Sequence, residues 1–313
     1  MDDKFVSKMK KIVVISGATG NLGERIVKAL LEKGASVRAI VRASTNAEKV
    51  KKLEELGAKV IRIDMSDSKE IAKACEGASC VISALSGLHD VIINTQRKLL
   101  DGAVMAGVPH FIPSDFSLDF TNLKVGQNRN LDLRREFHQY LEEAPIASTT
   151  IFNGPFMDLL TGQMPMILDK QKWILHWGDA DQILYFTTMD NTAEFTANVA
   201  FDDLTPRFLR IAGDQISPRQ MVKVVSEITG KKFSLFRAGG IGLINLIIKT
   251  MKTISPAKKD LYPIWQGMQY MRDMMEGRAK IDSYDNNRYP DINWTSIKEL
   301  LLLHKATKDI ANQ

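Results

Sequence analysis

Three glycines, each three residues after the last, stand in the stretch Gly17-Ala18-Thr19-Gly20-Asn21-Leu22-Gly23. Glycines at this spacing can hold a diphosphate. A strand that turns into a helix presents the helix's first unpaired N–H groups, and its positive dipole end, to whatever lies above. Glycine lets the turn tighten and lets an anion approach the backbone. A second residue with usable chemistry is Arg42, followed by Ser44 and Thr45, with no carboxylate before Glu48. At the end of the second strand of a dinucleotide site, Asp or Glu takes the adenosine 2′-hydroxyl, whereas Arg accommodates a 2′-phosphate. Guanidinium matches phosphate in charge and fork geometry. Together the two features predict NADP(H). The bland alternatives are an ordinary glycine-rich turn and a surface arginine ending an edge strand.

Further candidates fall at corresponding places along the chain. Asp64 and Met65 would border the adenine, Met65 as an apolar wall, unless Asp64 only caps the next helix. Ser83, Ala84 and Leu85 are followed by Ser86-Gly87, and small residues there admit a ribose and diphosphate close to the backbone. Ser114, Asn153 and Phe156 close two later segments.

These residues require a particular set of elements to position them. Residues 11–16 are rich in β-branched side chains, as a strand buried on both faces requires. Leu22, Ile26, Ala29 and Leu30 then form one helical stripe. Strands are expected over 36–42, 59–64, 80–85, 108–112 and 147–152, alternating with helices over 47–56, from 66 to 75, 90–107 and 131–142. Such alternation predicts an α/β, doubly wound parallel sheet, whose ligands bind at the carboxyl ends of the strands. Every candidate above sits at such an end.

Beyond Phe156 the alternation breaks down. A short strand is expected over 173–178, a helix over 190–200, and a strand over 208–212 that rejoins the main sheet. Ser217-Pro218 starts another helix, with Pro at its first position and Gly230 at its end. The apolar run 241–248 reads as a buried helix or a pocket lid. Met251, Met268, Met271, Met274 and Met275 suit core packing or an irregular apolar pocket, core packing being the simpler reading. Residues 1–155 are thus expected to form the NADP-binding domain, with 182–213 returning to it. Residues 156–181 and 214–313 are expected to form a smaller, mainly helical substrate or lid domain.

Composition narrows the class. The 313 residues are 44% hydrophobic and 25% charged, ordinary for a globular chain of one large domain or two unequal ones. A net charge of +5, without a dense Lys/Arg block, is no argument for a nucleic-acid partner. Two cysteines, Cys75 and Cys80, lack metal or redox spacing and suit a reducing cytoplasm. Residues 1–11 are polar and charged, unlike a signal peptide, and no apolar run approaches the roughly 20 residues of a membrane span.

The chain resembles the NmrA-like branch of the atypical short-chain dehydrogenases, which also contains the isoflavone-reductase-like enzymes. The likeness is carried by residues 17–23, by Val37-Arg38-Ala39-Ile40-Val41-Arg42, by Phe111-Ile112-Pro113-Ser114-Asp115-Phe116, by Asn153-Gly154-Pro155-Phe156 and by Arg288-Tyr289-Pro290. It implies a Rossmann sheet holding NADP(H), with the nicotinamide near Ser114 and Phe156. The family contains both reductases and cofactor-sensing regulators.

Catalytic machinery is less plain. Typical short-chain dehydrogenases pair a Tyr with a Lys four residues on; the residues four after the six tyrosines are Ala144, Met189, Gln266, Met274, Arg288 and Asn293. The reductase relatives place a Lys in the helix before the sixth strand. That place falls at about Arg134, and no lysine occurs between Lys124 and Lys170. Arginine is a poor proton donor, although it can hold a ribose hydroxyl or a substrate anion. Asp115, His138 and Tyr140 are the replacements, each with an ordinary structural role as its alternative.

The favoured reading is an NADPH-dependent reductase of a small apolar or aromatic carbonyl, enone or quinone. Hydride transfer needs mainly alignment of nicotinamide and acceptor. The alternative is a non-catalytic sensor that relays the cofactor's redox state to a protein partner. An epimerase or dehydratase with tightly held NAD is disfavoured by Arg42 and by the missing Tyr–Lys pair.

Overall fold

The computed structural model describes residues 10–281 and 283–311; the opening stretch read against a signal peptide lies mostly outside them. In chain order the elements begin with β1 (Ile12–Ser16), α1 (Asn21–Glu32), β2 (Ser36–Arg42), α2 (Ala47–Glu55), β3 (Lys59–Ile63), α3 (Ser68–Cys75) and β4 (Cys80–Ser83). A π-helical segment, Asp90–Thr95, leads into α4 (Gln96–Met105), followed by β5 (His110–Ile112), α5 (Arg129–Glu143) and β6 (Ala147–Ser148). Strands β1 to β6 form one sheet in the order 3-2-1-4-5-6. All its pairings are parallel, with β1 at the centre between β2 and β4. That order is the doubly wound dinucleotide-binding arrangement. Val13, Val14 and Ile15 of β1 are fully buried, which explains the unbroken apolar run.

The later elements are β7 (Thr150–Phe152), β8 (Ile167–Leu168), β9 (Trp173–Trp177), β10 (Leu184–Phe186), α6 (Met189–Phe201), β11 (Phe208–Arg210) and β12 (Asp214–Ile216). Then come α7 (Pro218–Thr229), β13 (Ser234–Gly239), α8 (Ile241–Ile254), α9 (Ile264–Met275) and α10 (Ile297–Ala311). Helix α7 runs as its sequence predicts, with Pro218 at the first position and Gly230 capping the end at φ 67°; Ser217 and Gln220 add a reciprocal capping box.

Contacts divide the described residues into two compact units. One comprises those of 1–114, 139–150 and 193–207; the other comprises those of 115–138, 151–192 and 208–313. The first holds the six-stranded sheet. The second has its own core, built from Phe120, Phe152, Phe186, Met221, Ile244 and Met271 among others.

Three expectations are corrected. The sixth strand is not one ladder: Ala147 and Thr149 donate backbone N–H to β5 (Pro109 and Phe111 oxygens), whereas Thr150 N–H turns the other way, to Arg207 O. Alternate N–H groups of an extended chain point to opposite edges, so one stretch serves two partners. Consequently β11 pairs with β7, and not with the six-stranded sheet it was expected to rejoin. The run 241–248 is not buried all round. Ile244 and Ile248 are buried, but Leu243 and Leu246 are 44% and 60% exposed, because an unbroken apolar run puts apolar groups on every side of a helix. Met271, Met274 and Met275 lie in the core of the second unit, so core packing is their role.

Candidate functional site

In the first unit the carboxyl edge of the sheet carries the glycine turn. Gly17 has φ 84°, and a Cβ there would lie 2.3 Å from Ala84 O. A Cβ on Gly23 would lie 2.2 Å from Gly17 O. These two glycines therefore let β1, β4 and α1 close on one another. Gly20 differs: its N–H donates to Gly17 O (3.0 Å), it is exposed, and a Cβ there would meet only that oxygen, at 3.3 Å. Gly20 is the N-cap of α1, and no side chain among the described residues caps that end. Ala18 is buried and Thr19 and Leu22 are half-buried, while Asn21 accepts from Arg25 Nε at 3.1 Å. The result is an open, uncapped helix start above a glycine turn, a cradle suited to a diphosphate.

The neighbouring strand ends fit the same use. Arg42 is exposed at the end of β2, opposite Ile63 of β3. Arg62, which sequence reasoning missed, donates to both Ala43 O and Thr45 O at 3.0 Å and so braces the loop behind Arg42. Asp64 accepts from Ser66 N–H (2.9 Å) and Ser66 Oγ (2.8 Å), and these bonds hold its carboxyl below the usual carboxylate range. Met65 is buried beside it, and Asp67 caps α3 through Lys69 N–H at 2.8 Å.

At the end of β4, Ala84 N–H donates to Ser16 O at 2.8 Å. Ser83 is fully buried, and its Oγ has no partner among the described residues. An unspent hydroxyl beside the cradle is a group a ligand could use. Leu85 O accepts from Ser114 Oγ (2.6 Å), and Ser114 N–H donates to Gln96 Oε1 (2.9 Å). Gln96, fully buried where the π-helical segment passes into α4, is a positioning residue the sequence did not announce.

The second unit holds the other candidates. Asp115 and His138 meet, with Oδ2 and Nε2 2.6 Å apart and both side chains buried. Phe120 sets its edge to the imidazole at 5.1 Å, and Phe208 stacks on it at 6.1 Å. Arg134, one turn earlier on α5, is buried and donates from Nη1 to Asn130 O at 2.8 Å; its Nε has no partner among the described residues. Asn153 is fully buried, its Oδ1 without a partner among the described residues, and Phe156 is half-buried in a bridge to Thr187. Tyr140 is not part of this group: it lies in the first unit, under the Arg97 guanidinium at 4.5 Å.

Sequence reasoning also missed a polar network on α9. Asn128 donates to Asp273 at 2.8 Å and accepts from Gln266 Nε2 at 2.8 Å, and Arg272 donates to Asp273 at 2.6 Å. Burial raises the Asp273 carboxyl, with Asn128 and Arg272 opposing. Burial also pushes the Tyr270 phenol up to about 12, against the Arg134 charge and a hydrogen bond with Asn130. The signal was present as Gln266, Gln269, Tyr270 and Asp273 at helical spacing, masked by the methionines between them.

The chain is similar in sequence and in fold to known proteins. The chain is 26% identical over 311 residues to a bifunctional pinoresinol-lariciresinol reductase of Linum usitatissimum, covering 93% of this chain and 98% of the relative. The solved structure of AtPrR2 with NADP+ and (+)pinoresinol superposes with a TM-score of 0.79 at 22% identity, over 94% of this chain and 99% of that one. The NADPH-dependent quinone oxidoreductase QOR2 of Escherichia coli, complexed with NADPH, has a TM-score of 0.72 at 19% identity, over 93% and 99% of the two chains. The sequence profile of the NmrA-like family matches residues 9–274, and with that match over most of its length the chain belongs to the NmrA-like family.

Proposed function

We propose that this protein is an NADPH-dependent reductase of a small apolar or aromatic carbonyl, enone or quinone. The observation that carries the reading is the nucleotide side of the first unit. Gly17 and Gly23 close the turn, Gly20 leaves it open, and Arg42 waits at the end of β2 for a 2′-phosphate. Relatives similar over nearly the whole chain are pinoresinol reductases, and a fold neighbour reduces quinones with NADPH. They lend the sensor reading no support.

NADPH, when bound, supplies a hydride. The residues of this chain orient the reactants and furnish the accompanying proton. Residues 17–23 hold the diphosphate, Arg42 the adenosine phosphate, and Ser83 and Ser114 stand at the strand ends beside them; Asn153 and Phe156 are the cofactor candidates of the second unit. His138, held by Asp115, is the proton donor in this reading, since the two are the candidates that the fold joins. Arg134 binds a substrate oxygen through its unspent Nε. Residues 156–181 and 214–313 supply the substrate side.

The test is NADPH consumption against a panel of quinones, enones and aromatic aldehydes, with wild type and His138→Gln. Turnover with at least one class is expected, with kcat lowered in the variant more than KM is raised. Absence of turnover with every class would remove the reading. A variant as fast as wild type would remove His138 from it.

A further inference from the structure

Between Glu227 and Asp260 the chain carries seven Lys and Arg residues and no Asp or Glu. The whole chain is net +5, so the remainder outside this stretch is net −2. The positive charge of the protein is therefore concentrated in one segment, the one that contains β13, α8 and the loop to α9.

Helix α8 has 14 residues and two unlike sides. Ile244 and Ile248 are buried. On the other side Leu243, Leu246 and Ile254 are 44%, 60% and 74% exposed. At 100° per residue, Leu243, Leu246, Thr250 and Ile254 fall within an arc of about 80°, with Lys249 bordering it. The stripe continues past the helix end. Trp265 Nε1 donates to Pro256 O at 3.1 Å and Lys252 Nζ lies 5.0 Å from the Trp265 ring, so the start of α9 is fastened to the end of α8. Tyr262 and Ile264 are exposed there, 62% and 69%, beside the solvated Lys258 and Lys259.

We propose that this face docks on an anionic lipid surface, lying in the headgroup layer without spanning it. An exposed Leu/Ile stripe on α8 bordered by lysines, with the nearest carboxylates in sequence at Glu227 and Asp260, is the composition of an interfacial helix. No helix among the described residues is long and apolar enough to cross a membrane, so insertion stops at the surface. A second copy is the wrong occupant, because a two-fold contact would set this positive segment against itself. Nucleic acid would match the charge but leaves the apolar stripe unused. A lipid surface satisfies both parts at once. The inference uses no residue of the nucleotide side, and its readout, vesicle binding, does not depend on turnover.

The experiment is co-sedimentation of the full chain with phosphatidylcholine vesicles, with and without phosphatidylserine. Binding is expected to the phosphatidylserine vesicles and to weaken with salt. A lysine near an anionic surface contributes about fivefold to binding, so Lys258→Gln with Lys259→Gln should lower it about 25-fold. Leu246→Ser with Ile254→Ser should lower it about tenfold or more at unchanged charge. These side chains are exposed, so the unfolding midpoint should stay at the wild-type value, which shows that the variants are folded. No binding to phosphatidylserine vesicles, equal binding to neutral ones, or indifference to both double variants would overturn the proposal. So would a dimer that dissociates on Leu246→Ser, or a preference for nucleic acid or an acidic protein over the vesicles.

Discussion

The three glycines of the turn separate two roles that sequence spacing presents as one, and alanine at each position tells them apart. At Gly17 an alanine must hold φ 84°, which costs about 1–2 kcal/mol. Its Cβ would also stand 2.3 Å from Ala84 O and 2.5 Å from Ala84 C, backbone atoms that cannot swing aside. Forcing β1 and β4 apart adds about 1–3 kcal/mol, so the loss of stability is about 2–5 kcal/mol. At Gly23 the overlap with Gly17 O, 2.2 Å, is as severe, but alanine is better than glycine inside a helix by about 1 kcal/mol. The net loss there is about 0–2 kcal/mol. At Gly20 the nearest atom is 3.3 Å away and the rest of the space is open, so the cost is that of a poorer N-cap, about 0.5–1 kcal/mol. The added methyl would instead stand where a diphosphate approaches. Gly20→Ala should weaken NADPH binding at least tenfold, about 1.4 kcal/mol, while remaining nearly as stable as wild type. The assay is urea unfolding without nucleotide, to keep ligand stabilisation out of the comparison, beside titration of NADPH fluorescence. If Gly20→Ala unfolded as readily as Gly17→Ala, or bound NADPH as tightly as wild type, the division of roles would be refuted.

Other outcomes follow from single residues. Arg42→Ala should lower affinity for NADPH about 10–100-fold and leave NADH unchanged, the size of a lost hydrogen bond to a charged group; an unaltered preference would refute the phosphate role. Burial pushes the His110 imidazole from 6.5 down to about 4. The folded state binds fewer protons than the unfolded one in that window, so this contribution is complete above pH 6.5 and is lost as pH falls toward 4. It amounts to about 3 kcal/mol at most. The fall in unfolding midpoint between pH 7 and 4.5 should be shallower in His110→Asn; equal slopes would refute it. Cys75 and Cys80 are buried, and burial raises both thiols, Cys75 to about 12, so neither should react with a thiol reagent at pH 8 until the protein unfolds.

How much was legible depended on whether a residue's role was local. The Gly17–Gly23 turn, the strand and helix around it, and Arg42 at a strand end are set within a few residues, and spacing and composition sufficed to place them. The same holds for Ser217-Pro218 at the start of α7 and Gly230 at its end. The alternation of strands and helices implied a parallel sheet, and β1 to β5 lie within two residues of their expected bounds.

What only the tertiary structure decided were partnerships between distant residues. Asp115 and His138 are 23 positions apart, and nothing in the spacing said that they would meet while Tyr140, two residues from His138, would lie under Arg97. Gln96 holds Ser114 across 18 positions, and Asn128 holds Asp273 across 145. The side of α8 that is covered was equally hidden, because a run apolar at nearly every position carries no periodicity from which to choose a face. Local propensity and turn chemistry are written along the chain. Which side chains share a dielectric, a hydrogen bond or a solvent boundary is settled only when the chain closes on itself.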